Sequence, residues 1–218
     1  MLLAAAALAF CAPAGAARFG IRLGPDQLVF ETPPGFSDTA GFSSPRITDL
    51  ADSLTEASNR VLVFALTDAD SRRFGSGDDL ELRRYLIAVT PRATERQRLS
   101  NGEYAALLKD SMRGLGTPPA AGTDYMKFLK DRPPGQPHLL EVLRNDDQSL
   151  SILRGTMRPL QGAWREKPVF RLNTVTLVLI GGKALYVSAF SAYDSPADLA
   201  WIRTITERWV EDLRRLNR

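Results

Sequence analysis

Apolar and polar residues alternate with a period of two along Gln27–Thr32 (QLVFET), which predicts a half-buried strand ending at the turn Pro33-Pro34-Gly35. The period then lengthens. Behind Ser44-Pro45, Ile47, Leu50, Ala51, Leu54 and Ala57 recur at helical spacing, predicting a helix to about Ser58 with Pro at its first position. Arg60–Thr67 (RVLVFALT) is apolar on both faces and belongs inside a sheet covered on both sides. Asp68–Asp79 (DADSRRFGSGDD) is the most polar stretch and is expected to be a loop, and Leu80–Thr90 (LELRRYLIAVT) the next strand, ended by Pro91.

Further on, Ser100 with Glu103 three residues later forms a capping box, and Tyr104, Leu107, Leu108, Ser111 and Leu115 follow one helical face until Gly114 and Gly116. Between the breakers Pro118-Pro119 and Pro133-Pro134-Gly135, Thr123–Asp131 predicts one or two helical turns. Leu139–Arg144 and Leu150–Met157 form a hairpin around Asn145-Asp146-Asp147-Gln148. A longer hairpin joins Val169–Ile180 to Lys183–Tyr193 through Gly181-Gly182, whose two glycines suit a type I′ turn. Its strands turn apolar on both faces near the turn, so it is expected at the centre of the sheet.

The last helix has the clearest start: Ser195 as cap, Pro196 first, Asp198 completing the box. Leu199, Ile202, Ile205, Trp209, Leu213 and Leu216 form its apolar stripe, with Arg203, Glu207, Arg208, Glu211, Arg214 and Arg215 opposite. Successive hairpins with helices early, midway and last give an α+β fold. A mostly antiparallel sheet of about six or seven strands, covered by helices on both faces as an α/β/α sandwich, is expected in one domain over residues 17–218.

The front of the chain changes the picture. Leu2–Ala12 is unbroken apolar sequence, shorter than the ~20 residues of a membrane span. Ala14-Gly15-Ala16 follows as an A-x-A signal, so residues 1–16 read as an export leader, although no Lys or Arg precedes Arg18. A periplasmic or secreted protein, with no transmembrane segment in its mature chain, is expected. Leu8-Ala9-Phe10-Cys11 loosely resembles a lipobox, giving a lipid anchor through Cys11 as a second address, against which the bulky Phe10 argues.

Composition then removes chemistries. Cys11 is the only cysteine, so no disulfide and no mature thiolate nucleophile exists. His138 is the only histidine, which rules out sites built on two imidazoles, and it reads as a polar residue at a strand edge. No G-x-S-x-G occurs. The net charge of +3 comes from arginines dispersed among acids, a solvated surface and not a nucleic-acid footprint. No cofactor and no nucleic-acid partner is expected.

Four oxygen-bearing side chains, Asp68, Asp70, Asp78 and Asp79, stand close enough in sequence to suggest Ca²⁺. However, Arg72 falls on the third ligand position and Arg73 replaces the required glycine, so a solvated loop of local Asp–Arg pairs is favoured, without metal. Tyr125, Met126 and Phe128, in the segment framed by prolines, offer a lid or a docking surface for an envelope protein; the opposing reading fills the core edge with them. Glu81, Glu141 and Asp194 could supply paired carboxylates, but no spacing selects two of them. Trp201 lies off the main stripe of the last helix and is read as core.

In order, these elements resemble the PsbP-like superfamily, which includes extrinsic photosystem II proteins, a nuclear import factor and DcrB-type bacterial envelope proteins. The resemblance rests on Leu28-Val29-Phe30-Glu31-Thr32-Pro33-Pro34-Gly35-Phe36, like that family's opening strand and its exit. It rests also on Gly181-Gly182-Lys183-Ala184-Leu185-Tyr186, like its last hairpin, followed by a closing helix. The stretch Thr117–Pro137 departs from the simplest members as an insertion. The resemblance implies the sandwich fold and transfers no catalytic residue, since members share architecture and not a reactive set. The function expected is an exported, non-catalytic accessory or binding module of the bacterial envelope. A carboxylate- or serine-dependent hydrolase and a small-ligand carrier stand as alternatives, and oligomeric state is left open.

Overall fold

The computed structural model describes residues 18–158 and 168–218; the expected leader, its cleavage signal and Cys11 lie outside them. At the middle of the sheet is the hairpin of β8 (Val169–Ile180) and β9 (Lys183–Ala192). Its turn residues Gly181 and Gly182 have φ of 56° and 80°, the left-handed values a type I′ turn needs and a side chain would oppose.

Around this hairpin stand β3 (Phe36–Asp38), β4 (Asn59–Thr67), β5 (Arg84–Pro91), β6 (His138–Asp146) and β7 (Ser149–Arg158). The sheet order is β3-β4-β5-β9-β8-β7-β6, and every pairing is antiparallel. The outer strand β6 opens at His138, a polar residue at an edge as expected. Register irregularities at Leu139/Glu141 and Val142/Arg144 make that edge a poor template for further pairing.

The first predicted strand goes elsewhere. β2 (Asp26–Glu31) pairs with β1 (Arg18–Leu23), an element not expected from the sequence, in a separate two-stranded ribbon. The seventh place in the main sheet is taken by the short β3 instead. The ribbon is held by the closing helix α5 (Pro196–Leu216). Trp209 of α5, 2% exposed, donates its Nε1–H to the Glu31 carbonyl at 3.1 Å. Asn217, just past the helix, accepts from the Val29 N–H and donates to the Val29 carbonyl, each at 2.8 Å, as a neighbouring strand would.

Other boundaries also shift. α1 (Pro45–Ser53) stops short of Ser58, with Leu54 as its C-cap. β5 starts at Arg84 and not Leu80 because Leu82 has a positive φ of 48°, which breaks the extended chain. The expected loop after β4 is mostly a helix, α2 (Asp68–Ser76). Thr67 Oγ1 accepts the Asp70 N–H at 3.1 Å, Gly77 ends the helix at φ 84°, and Phe74 stacks on Phe42 with centroids 5.5 Å apart.

Two faces of the sheet are covered, and unequally. On one, Ile202, Ile205, Trp209, Val210 and Leu213 of α5 bury Val63, Leu86, Leu153, Leu172, Leu185 and Val187. On the other, Ile47 and Ala51 of α1 lie over Phe64, Leu66, Tyr85, Ile87 and Val89. Tyr104 and Leu108 of α3 (Asn101–Met112) cover Leu150, Ile152, Leu177 and Ala184. The capping box expected at Ser100 and Glu103 is present. The model is thus α+β, with helices on both faces of an antiparallel sheet. Among the described residues no helix is long and apolar enough to cross a membrane.

α4 (Tyr125–Lys130), the expected short helix, docks on the α5 side beside β7. Leu129 is fully buried there, against Gly155, where a Cβ would lie 2.7 Å from Leu129 Cδ1 and 2.8 Å from Leu140 Cδ1. Absence of a side chain on β7 therefore makes the seat for α4. Leu129→Ala should lower stability by about 2–5 kcal/mol in urea denaturation. Lys127→Ala, on the exposed side of the same helix, should change it by less than ~0.5 kcal/mol. Equal, small effects from both would show that α4 is not part of the core.

Candidate functional site

The residues singled out in sequence do not converge. Asp68 accepts from Ser37 Oγ at 2.9 Å, whereas Asp70 is 4% exposed and accepts the Glu81 N–H at 2.9 Å. Arg73 pairs with Glu81, Asp79 is exposed 3.5 Å from Arg46, and Arg72 and Asp78 face solvent. Helix formation turns these side chains in different directions. Among the described residues no group of three or more His, Cys, Asp or Glu side chains could hold a metal ion. Tyr125, Met126 and Phe128 are half-buried and pack against the α5-side core. The Tyr125 hydroxyl donates to the Leu140 carbonyl at 3.3 Å, and the Arg132 guanidinium lies 4.5 Å from the Phe128 ring. These contacts point the aromatic residues of α4 inward, the core-filling arrangement.

Arginine neutralises each of the three carboxylates considered for catalysis. Glu81 has Arg73, Asp194 has Arg83, and Glu141 accepts from Arg203 Nε at 3.0 Å. Glu81 belongs with Arg83, Arg84 and Asp198 to a charged crevice at one end of the sheet. There Arg84 donates to Asp198 at 2.8 Å and lies 4.2 Å from the Trp201 ring, which stacks on Phe36 at 6.1 Å. Trp201 is half-buried at this edge and packs against the α5-side core. Burial pushes the Asp198 carboxyl up, but Arg84 and the Asp194 and Ser195 donors outweigh it and hold it below the usual carboxylate range.

The site with unsatisfied chemistry is on the other face, in the gap between α1 and α3. It is a trough of about 710 Å³, within the roughly 300–1,000 Å³ of small-molecule sites. Register sets its floor in rows across the strands: Leu150, Leu177, Tyr186 and Val89, then Ile152, Val175 and Ser188. The same sheet face continues with the row Arg154, Asn173, Phe190 and Tyr85, of which Arg154 lines the trough, and beyond it with Thr156 and Arg171. The walls are the end of α1 with the chain after it, from Ser53 to Asn59, and Ser111 of α3.

Arg154 is half-buried at the trough floor, and burial pushes its pKa down with no carboxylate partner among the described residues. Arg171 is lowered by burial and by the like charge of Arg158, while Tyr85 opposes this. The Tyr85 phenol, 3% exposed and stacked on Phe190 at 4.4 Å, is pushed up to about 12 by burial and so remains neutral. Other arginines without an ion pair, such as Arg72 and Arg132, are exposed to water, whereas Arg154 is half-buried. A guanidinium withdrawn from water without an anion is destabilising, and such groups gather at functional sites.

Comparison with known proteins adds no relative: no family model, no curated protein and no solved structure matches the chain. The trough was missed in sequence although part of its signal is there. Arg154 and Arg158 lie at even positions of β7 with Leu150 and Ile152, so alternation places them on one face. Nothing local says that the face is left open above them.

The charged crevice gives a pH prediction. Because the folded Asp198 pKa is below its unfolded value of ~3.9, its contribution to stability is complete above that value and disappears as pH falls through the folded pKa. Asp198→Asn should therefore cost about 1–3 kcal/mol at neutral pH, and the gap from wild type should narrow at acid pH as the folded carboxyl becomes protonated. Urea midpoints measured at both pH values check this; a gap that is the same at both would exclude an ionised Asp198 as the source.

Proposed function

We propose that this protein is an exported, non-catalytic binding module of the bacterial envelope, built on a PsbP-like sandwich, whose ligand site is the trough between α1 and α3. The observation that carries the reading is Arg154: a half-buried cation without a counter-charge among the described residues, on a mostly apolar floor. A pocket of that size and mixed polarity is suited to holding a small molecule. Residues 1–16, with the apolar run and the A-x-A signal, support export, and the order of strands, glycine turn and closing helix supports the PsbP-like assignment.

The hydrolase alternative has less support. Glu81, Glu141 and Asp194 are each already engaged in an ion pair with an arginine. Carriage of a small ligand, by contrast, is a form of the binding reading and not a rival to it.

Binding in the trough is checked with the neutral dye Nile red. Saturable fluorescence enhancement by the folded protein is expected, and Val175→Trp, which fills the floor from the centre of β8, should abolish it while the melting temperature stays within a few degrees of wild type. Saturable enhancement that survives Val175→Trp, or none with the native chain, overturns the site. Export is checked separately by fusing Met1–Ala17 to a reporter enzyme active only outside the cytoplasm: activity is expected, and a silent reporter refutes that half of the reading.

A further inference from the structure

We infer that the trough takes an anionic amphiphile with a single carboxylate head and a linear apolar chain. The head would meet Arg154, with Arg171 in the next row of the same sheet face, and the chain would run along the floor towards Leu177 beneath the edge of α3. This inference rests on the trough being a binding site and deepens that reading by giving the class of ligand.

Charge gives the first half of the argument. Arg154 and Arg171 lie in adjacent rows of one sheet face, exposed Arg158 follows at the end of β7, and no carboxylate pairs with any of them among the described residues. The acid on the trough wall, Glu56, is exposed on the loop after α1 and makes no ion pair with Arg154. An arriving anion would supply what is missing, and a guanidinium fork fits the two oxygens of a carboxylate side by side.

The floor gives the second half. From Arg171 to Leu177 along β8 is six residues, a run of about 20 Å at strand spacing. Over that run the polar character falls steadily: Arg171, Asn173, Val175, Leu177, with Ile152 and Leu150 alongside on β7. A cation at one end and aliphatic side chains at the other match a molecule with the same polarity along its length. Backbone donors on β7, β8 and β9 are consumed by the sheet ladders, so the anion must be held by side chains. This suits a single carboxylate better than a polyphosphate, which demands a cradle of free N–H groups.

Isothermal titration with dodecanoate, kept below its micelle concentration, tests the assignment. Dodecanoate should bind with one-to-one stoichiometry, butanoate at least about a hundredfold more weakly because most of its apolar chain is missing, and dodecyltrimethylammonium not measurably. Arg154→Gln should weaken dodecanoate by about 10- to 100-fold, Arg171→Gln by less. Arg154→Gln should also melt no lower than wild type without ligand, since it removes an unpaired half-buried charge; a structural arginine would give the opposite. Unchanged dodecanoate affinity in Arg154→Gln, or equal affinity for the cationic amphiphile, overturns the inference. If dodecanoate fails while Nile red still binds and Val175→Trp blocks it, only the ligand class is wrong. If both fail, the binding site itself is wrong.

Discussion

Unequal helical cover on the two sheet faces is the constraint from which the rest of this structure follows. α5, with 21 residues, is about 31 Å long and packs along β8 and β9 on its side. The opposite side has α1, with 9 residues, and α3, with 12, about 14 and 18 Å long. Two short cylinders set apart over a seven-stranded sheet leave floor between them. A gap of that kind costs free energy when it exposes apolar side chains, and Arg154 makes part of the bare floor compatible with water.

The distribution of arginine follows the same division. Around the ends of the sheet and along α5, guanidinium groups meet carboxylates: Arg84 with Asp198, Arg203 with Glu141, Arg214 with Asp146. Most such pairs are partly exposed and each contributes little to stability. Arg154 on the trough floor and Arg171 beyond it have no carboxylate among the described residues, and burial lowers the pKa of both. An exposed ion pair solves a solubility problem; a half-buried cation without one is the observation on which the proposed binding site rests. The polar surface of this protein therefore carries information only where the matching of charges fails.

The closing helix also decides a topological question. β2 alternates as any sheet strand would, yet it pairs with β1 and lies across α5, with Trp209 and Asn217 bonded to its carbonyl and amide groups. Residues 27–32 were legible as a strand, but their partner was not, because the contacts that choose it come from 178 and 188 positions away. α2 was illegible for a different reason. Its polarity conceals a helix whose local signals, Thr67 before it and Gly77 after it, are clear only once Phe74 is seen to pack on Phe42.

Features with a range of a few residues were open to reading in the sequence. The Ser100–Glu103 box, the Ser195-Pro196 start, the Gly181-Gly182 turn and the short helix framed by prolines depend on hydrogen bonds or torsion angles within one turn of chain. The site was not open to reading in that way. Asp68, Asp70, Asp78 and Asp79 are neighbours in sequence that helix geometry disperses, whereas Arg154, Asn173 and Phe190 are distant in sequence and adjacent in the sheet. Alternation says which residues share a face; only tertiary packing decides which part of that face a helix leaves uncovered, because cover is settled by the length and placement of elements that carry no mark of each other in their own periodicity.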